Sequence, residues 1–201
     1  MEKTGAIILA AGSSSRLGHP KQFLTYEGKA LLRRTVEAAA AAGCSPVIVV
    51  SGRDDSLIKD HLRGMEVLVV HNSQWQRGLG TSIRAGITHA QQFDPALDSI
   101  LLLVCDQIHL TADLISLMRQ TREEEQKPIV ACRYAGSLGV PALFARVLFR
   151  QLQTLADASG AKELISQGEN LVSGVSFPHG SIDIDTVEDE ARYLGPADET
   201  G

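Results

Sequence analysis

Cysteine is scarce. Cys44, Cys105 and Cys132 are the three in 201 residues, far apart and without a CxxC pair. Neither a disulfide framework nor a zinc site fits that spacing. The six histidines form no HxxxH or HExxH pattern, which removes the common histidine metal arrangements. Basic excess is missing too: 19 Lys and Arg against 24 Asp and Glu leave a net charge of −5. No positive field is available to draw nucleic acid or a membrane surface. No apolar run approaches the roughly 20 residues that cross a bilayer. The opening "MEKTG" lacks the charged-then-apolar pattern of a secretory signal. These absences set the expectation of a reduced, cytoplasmic protein that handles small molecules, with no nucleic-acid or membrane partner.

What is present is ordinary globular composition, 44% apolar and 21% charged, at a length suited to one core. Short apolar runs at 6–10, 46–52, 65–72, 99–107 and 128–134 read as buried strands. Stretches with helical spacing lie between them at 30–43, 54–64, 80–93 and 110–126. The alanine run of the first predicts a helix face packed close to a sheet. Alternation of this kind means βαβ units and a mostly parallel sheet, hence one Rossmann-like α/β domain over 1–195 with a flexible tail at 196–201. Beyond residue 135 the pattern loosens. Helices are expected at about 144–156, about 159–168 and from about Glu188, with "GSLGVPALF", "NLVSGVSF" and "IDID" between them.

Open parallel sheets bind ligands at the carboxyl ends of their strands. Four segments with unusual chemistry fall at such ends: 10–22, 71–82, 105–109 and 183–186. The first, "LAAGSSSRLGHPKQ", is neither a P-loop, which needs GxxxxGK and then Ser or Thr, nor the dinucleotide GxGxxG. It is still rich in backbone N–H donors able to wrap anionic oxygens. Arg16 adds a planar fork for phosphate and Lys21 a compact charge. Asp106 directly follows the apolar "SILLLVC", a costly place for a carboxylate without a compensating cation. In "DIDTVED", strand alternation would put Asp183 and Asp185 on one face, while Thr186 and Asp189 have the spacing of a helix cap.

"LAAGSSSRLGHPKQ" closely resembles the LAAGxSxRMGxxK signature of the MobA-like nucleotidyltransferases, and most of all their molybdenum cofactor cytidylyltransferase branch. The resemblance continues in order through "GKALL" (28–32), "AG" (42–43), "VIVVSG" (47–52), "NSQWQRGLGTSIRAG" (72–86), "CDQIHLT" (105–111), "GVPALF" (139–144), "GAKELI" (160–165) and "DIDTVED" (183–189). It implies a three-layer fold of the nucleotide-diphospho-sugar transferase type. It also implies transfer of a nucleotidyl group from an NTP to a phosphorylated acceptor, with release of pyrophosphate. Residues Leu9, Ala10, Ala11 and Gly12 would then touch base and ribose, with Ser13, Ser14, Arg16 and Lys21 on the triphosphate. Gly78, Gly80 and Ser82 would form the far wall of the base pocket, the glycines letting backbone approach a flat base. Asn72 would orient that wall or meet the ribose. Trp75, the sole tryptophan, is read as a packing anchor. By the same resemblance Asp106 binds Mg²⁺ with Asp185 as its second ligand, Asp183 being the second choice for that position. Arg16, Lys21 and Asp106 are the expected catalytic residues.

The branch resembled implies CTP and molybdopterin cofactor as substrates, with a molybdenum hydroxylase or its maturation chaperone downstream. A cytidylyl-, uridylyl- or guanylyltransferase for another phosphorylated acceptor, and a non-enzymatic cofactor carrier, are the alternatives. Departures from the pattern are "CDQI" for Gly-Asp-Gln-Pro and "DTVED" for DTPED. In "ADASGAK" the aspartate comes one place early, and lysine replaces arginine, on what is expected to be the acceptor side.

Overall fold

The structure is a computed structural model that describes residues 2–12, 14, 16–166 and 168–194. Ser13 and the expected tail at 196–201 lie outside the described residues. In chain order the strands and α-helices are β1 (Thr4–Leu9), β2 (Thr25–Tyr26), β3 (Lys29–Ala30), α1 (Leu31–Ala41), β4 (Val47–Ser51), α2 (Asp55–His61), β5 (Leu68–His71), α3 (Leu79–Phe93), β6 (Ser99–Val104), α4 (Ala112–Glu125), β7 (Ile129–Tyr134), β8 (Ser137–Ala145), α5 (Phe149–Gln153), α6 (Ala161–Ile165), β9 (Val172–Ser176) and α7 (Val187–Tyr193).

Seven strands form one sheet in the order β5-β4-β1-β6-β8-β7-β9, and β2 and β3 form a separate small hairpin. Strand β1 pairs in parallel with both β4 and β6. Every residue of β1 is buried, as an interior parallel strand covered on both faces requires. On one face Leu32, Val36 and Ala39 of α1, Ile58 of α2 and Ile115 and Met118 of α4 pack against Ala6, Ile8 and Leu101. On the other, Ile83, Ile87 and Ala90 of α3, Leu152 of α5 and Leu164 of α6 cover Ile7, Ile48 and Leu102. Helix α3 lies close to the sheet because Gly86 faces Ile7, whose Cγ2 would stand 2.6 Å from an added Cβ.

The chain departs from the sequence reading after Tyr134. The segment that includes "GSLGVPALF" is a nine-residue strand, β8, inserted antiparallel between β6 and β7. It takes over the first residues of the helix expected from 144, because Ala145 and Phe144 pair with Ser99 and Ile100. Only Phe149–Gln153 and Ala161–Ile165 of the two expected helices are α-helical. "NLVSGVSF" contains β9, parallel to β7. "IDID" is not a strand; a single antiparallel bridge joins Asp183 to Gln107.

Since β4 and β6 flank β1, the chain leaves β1 in opposite directions along the sheet. The carboxyl ends of β1 and β6 meet at that switch point, where open sheets take their ligands.

Candidate active site

A cleft of about 290 Å³ opens at this point. Leu9, Ala10, Ala11, Gly12, Ser14, Lys21 and Gln22 line it from β1 and the following loop. Val104, Cys105 and Asp106 line it from the end of β6, and Trp75, Gly78, Leu79 and Ser82 from the start of α3 and the turn before it. Ser14 organises the loop. Its carbonyl accepts from the N–H of Leu17 and of Gly18, both at 3.1 Å, and its hydroxyl accepts from the N–H of Lys21, also at 3.1 Å.

Lys21 is the centre of the charged end. Its ammonium donates to Asp106, and to Asp185 Oδ1 at 2.7 Å. The exposed Arg16 donates to the other oxygen of Asp185, also at 2.7 Å. Two aspartates 79 positions apart therefore meet because the backbones around them meet. The Asp183–Gln107 bridge is extended by the Ile184 N–H, which donates to the Asp106 carbonyl at 3.3 Å. Gln107 ties this junction down by donating to the carbonyls of Val140 at 3.0 Å and Gly180 at 2.9 Å. Thr186 and Asp189 then form a capping box that starts α7 directly after Asp185.

One carboxylate oxygen from each of Asp106, Asp183 and Asp185 lies within 4.8 Å of the others. Burial disfavours the Lys21 charge, but the Asp106 carboxylate and the hydrogen bonds to Asp106 and Asp185 outweigh it, so its pKa stands above the ordinary lysine value. The hydrogen bond from Lys21 holds Asp185 below the ordinary carboxylate range. Asp183 moves the other way, raised by burial and then by the charges of Asp106 and Asp185. Asp106 is only 8% exposed, and its buried Oδ1 has no hydrogen-bond partner. An unpartnered buried carboxylate oxygen beside two further carboxylates is a donor set for a hard divalent cation such as Mg²⁺ or Mn²⁺. The residues present therefore fit the metal expected from the sequence.

The far wall is built differently. Asn72 is buried, and its amide donates to Thr81 Oγ1 at 2.8 Å and Ser82 Oγ at 3.0 Å, while its oxygen accepts from the Gln74 N–H at 2.9 Å. It orients the wall and stands outside the cleft lining. Trp75 does both things: it lines the cleft and packs against Gly52, where a Cβ would stand 2.8 Å from the indole Cγ. Gly78 lines the cleft in the left-handed region, at φ 131°. The glycine requirement has a different source from the one expected. A Cβ at Gly78 would strike the Asp157 carbonyl, and one at Gly80 the Ala156 carbonyl. Gly80 itself does not line the cleft; its N–H donates to the Asp157 carbonyl at 2.9 Å. "ADASGAK", expected on the acceptor side, thus backs the wall at 75–82.

Of the residues singled out from sequence, Leu9, Ala10, Ala11, Gly12, Ser14, Lys21, Gly78, Ser82 and Asp106 line one cleft, with Arg16 and Asp185 joined to it through the ion pairs. Gln22, Leu79, Val104 and Cys105 line it as well and were not anticipated. Adjacency was the available signal: Gln22 follows Lys21, Leu79 separates two glycines, and Cys105 precedes Asp106. His19 is paired with Glu190 at 3.0 Å, and His109 packs beside His179 with ring centroids 4.9 Å apart. Among the described residues no helix is long and apolar enough to cross a membrane.

Comparison with known proteins meets this geometry. The family model for the MobA-like NTP transferase domain matches residues 6–171. The chain is similar to nicotine blue oxidoreductase of Paenarthrobacter nicotinovorans, 28% identical over 200 residues that cover 94% of this chain and 95% of the relative. It is also similar to molybdenum cofactor cytidylyltransferase of Escherichia coli strain K12, 25% identical over 190 residues and covering 94% of each chain. Among solved structures, Rv0371c of Mycobacterium tuberculosis H37Rv in complex with manganese superposes with a TM-score of 0.76 at 26% identity, over 97% of this chain and 100% of that one. The matched span holds the loop after β1, the far wall and Asp106, and only the Asp183–Asp185 pair lies past it. On that ground the chain belongs to the MobA-like NTP transferase family, and it is a nucleotidyltransferase.

Proposed function

We propose that the enzyme transfers CMP from MgCTP to the phosphate of molybdopterin (molybdenum) cofactor and releases pyrophosphate. The observation that carries this reading is the meeting of Asp106, Asp183, Asp185, Lys21 and Arg16 at one end of a cleft whose other end is apolar backbone and Trp75. A triphosphate belongs at the first end and a flat base at the second. The choice of cytosine and of this acceptor rests on the similarity to a molybdenum cofactor cytidylyltransferase, and Ala11, where the family resemblance implies a glycine in guanylyl members, bears on the base alone.

In this reading an oxygen of the acceptor phosphate bonds to the α-phosphorus of CTP. The bond from that phosphorus to the bridging oxygen breaks, and pyrophosphate leaves with the electron pair. The acceptor is already anionic, so no nucleophilic side chain is needed; charge neutralisation and alignment are. Lys21 and Arg16 meet the triphosphate, and Ser14 holds Lys21 in the loop by its hydroxyl. Backbone from Leu9 to Gly12, with Gly78 and Ser82 opposite, encloses base and ribose. Ser13 would join the triphosphate contacts. Asp106 and Asp185, with Asp183 beside them, would hold Mg²⁺, which supplies Lewis-acid shielding of phosphate charge when bound. The three cysteines are free and buried, which suits a reducing cytoplasm, and the product would pass to a molybdenum hydroxylase or its maturation chaperone.

The test is to incubate the protein with CTP, GTP, UTP or ATP and Mg²⁺, with and without molybdopterin cofactor, and to measure pyrophosphate. Release confined to CTP plus cofactor is expected. Release with guanine nucleotide, or with a sugar phosphate as acceptor, would redirect the reading to another transferase of the family.

A further inference from the structure

The segment at 155–160, between α5 and α6, lines no part of the cleft, yet the outer supports of the far wall end on it. Arg84 of α3 donates to the Leu155 carbonyl and, at 2.5 Å, to Asp157 Oδ1. Arg77, in the turn that carries Trp75, pairs with Asp157 Oδ2 at 2.6 Å. One carboxylate thus holds two guanidinium groups, one from the turn before Gly78 and one from the helix after it. Backbone contact completes the junction: the Gly80 N–H donates to the Asp157 carbonyl at 2.9 Å, and an added Cβ at Gly160 would stand 3.2 Å from Leu79 Cδ2.

Inside the wall, the Thr81 hydroxyl donates to the carbonyls of Gly78 at 2.8 Å and Gln74 at 3.2 Å. The turn Trp75–Arg77 is a single 3-10 turn without a side-chain cap, and it leads into Gly78, free of Cβ restraint at φ 131°. Asn72 fixes the wall from one side. We propose that Asp157 fixes it from the other, as a positioning residue that sets the spacing between the wall at 75–82 and the loop Ala10–Gly12 to fit a nucleotide base. The Asp157 carboxylate touches neither the cleft nor the cluster of aspartates, so the side chain acts only through Arg77 and Arg84. Each guanidinium takes one Asp157 oxygen in a charge-assisted bond, stronger than a neutral one, and the Arg84 and Asp157 side chains are 26% and 28% exposed. Loosening the wall lowers the fraction of molecules ready to bind, which weakens apparent affinity by that same fraction.

This inference rests on the reading of the cleft as a nucleotide site, and the experiment separates the two. Calorimetry on the unmodified protein with Mg²⁺ and CTP, GTP, UTP or ATP in turn finds the nucleotide that binds. A protein that binds none of them would overturn the site reading and the proposal with it. The measurement is repeated with that nucleotide on Asp157→Asn, Arg84→Gln and the double variant. Apparent affinity should fall about tenfold in each single variant and no further in the double. Asp157→Glu should recover part of the loss. Trp75, the only tryptophan, reports the wall without any ligand. In Asp157→Asn its emission should shift to the red and become more open to acrylamide, and saturating nucleotide should restore it. Arg77→Gln, at a 62% exposed side chain, should move affinity and emission in the same direction with the fold intact. Unchanged affinity and unchanged Trp75 emission in Arg77→Gln and in folded Asp157→Asn would overturn the proposal. So would a lowered melting midpoint at unaltered affinity, the mark of a purely structural residue.

Discussion

At the phosphate end of the cleft, Asp106, Asp185, Lys21 and Arg16 are joined by ion pairs, and a buried Asp106 oxygen is left unpartnered. At the base end, backbone meets backbone at Gly78 and Gly80, Ser82 is the polar residue of the wall that lines the cleft, and Asn72, Arg84 and Asp157 stand behind it. With Asp183 beside Asp106 and Asp185, three carboxylates of the first region face two cations, so its own members only partly balance its charge. The second is neutral at its surface and depends on close fit. The lesson is that the two ends answer to different perturbations: removing a charge should disable the first with little change in fold, whereas adding a single methyl should disturb the second.

The largest effect is expected at the phosphate end. Asp106→Ala should lower pyrophosphate release by about a thousandfold or more, with the melting midpoint little changed, because Lys21 keeps its pairing with Asp185 and the crowding of three carboxylates is relieved. Unimpaired turnover in that variant would refute the metal assignment. Next comes a contrast within the same end. Lys21→Ala should cost about 3 kcal/mol of transition-state stabilisation in kcat/KM, and Arg16→Ala about 1–2 kcal/mol, since Arg16 must reach developing charge through solvent. The burial difference is plain: the Lys21 side chain is 21% exposed and that of Arg16 is 71% exposed. Equal losses would show that both contact the reacting phosphate alike.

At the base end, Gly80→Ala sharpens the comparison. Its Cβ collides with the Ala156 carbonyl, so it should cost about 1–3 kcal/mol in urea unfolding and weaken nucleotide binding, with kcat at saturation retained. The smallest effect is common to both ends. Asp185 and Asp157 are held below the ordinary carboxylate value of 3.8, the first chiefly by Lys21 and the second chiefly by Arg84. A lowered folded-state pKa gives stability that is complete above the unfolded value and is lost as pH falls through the folded one. The urea midpoint should therefore stay level from about pH 7 to 5 and decline below about pH 4. Asp157→Asn should make that decline shallower.

How much could be read beforehand follows the same physics. β1, β4 and β6 were legible because interior strands covered on both faces carry near-continuous apolar runs, and α1 because its alanines have the spacing of a close-packed face. β8 was hidden, since its Gly139 and Pro141 argue against a strand locally and its pairing with β6 is a long-range choice. The helical spacing after Leu143 lost to that pairing for two residues. The meeting of Asp106 with Asp185 was implied by the family resemblance, and strand alternation was expected only to put Asp183 and Asp185 on one face; "IDID" is not a strand, and a one-residue bridge followed by a capping box brings the aspartates together. Gly78 and Gly80 marked a close approach in the sequence, while the partner in that approach, Asp157, lies 77 positions beyond Gly80 and carries no local sign of it.

The central claim is that Asp106 and Asp185 act together on one cation beside the triphosphate. A double-mutant cycle on kcat for pyrophosphate release tests it most directly, with Asp106→Asn, Asp185→Asn and both. If the two share an ion, the double variant should be no slower than the slower single one. If the two losses multiply, each carboxylate works alone and the shared site is wrong.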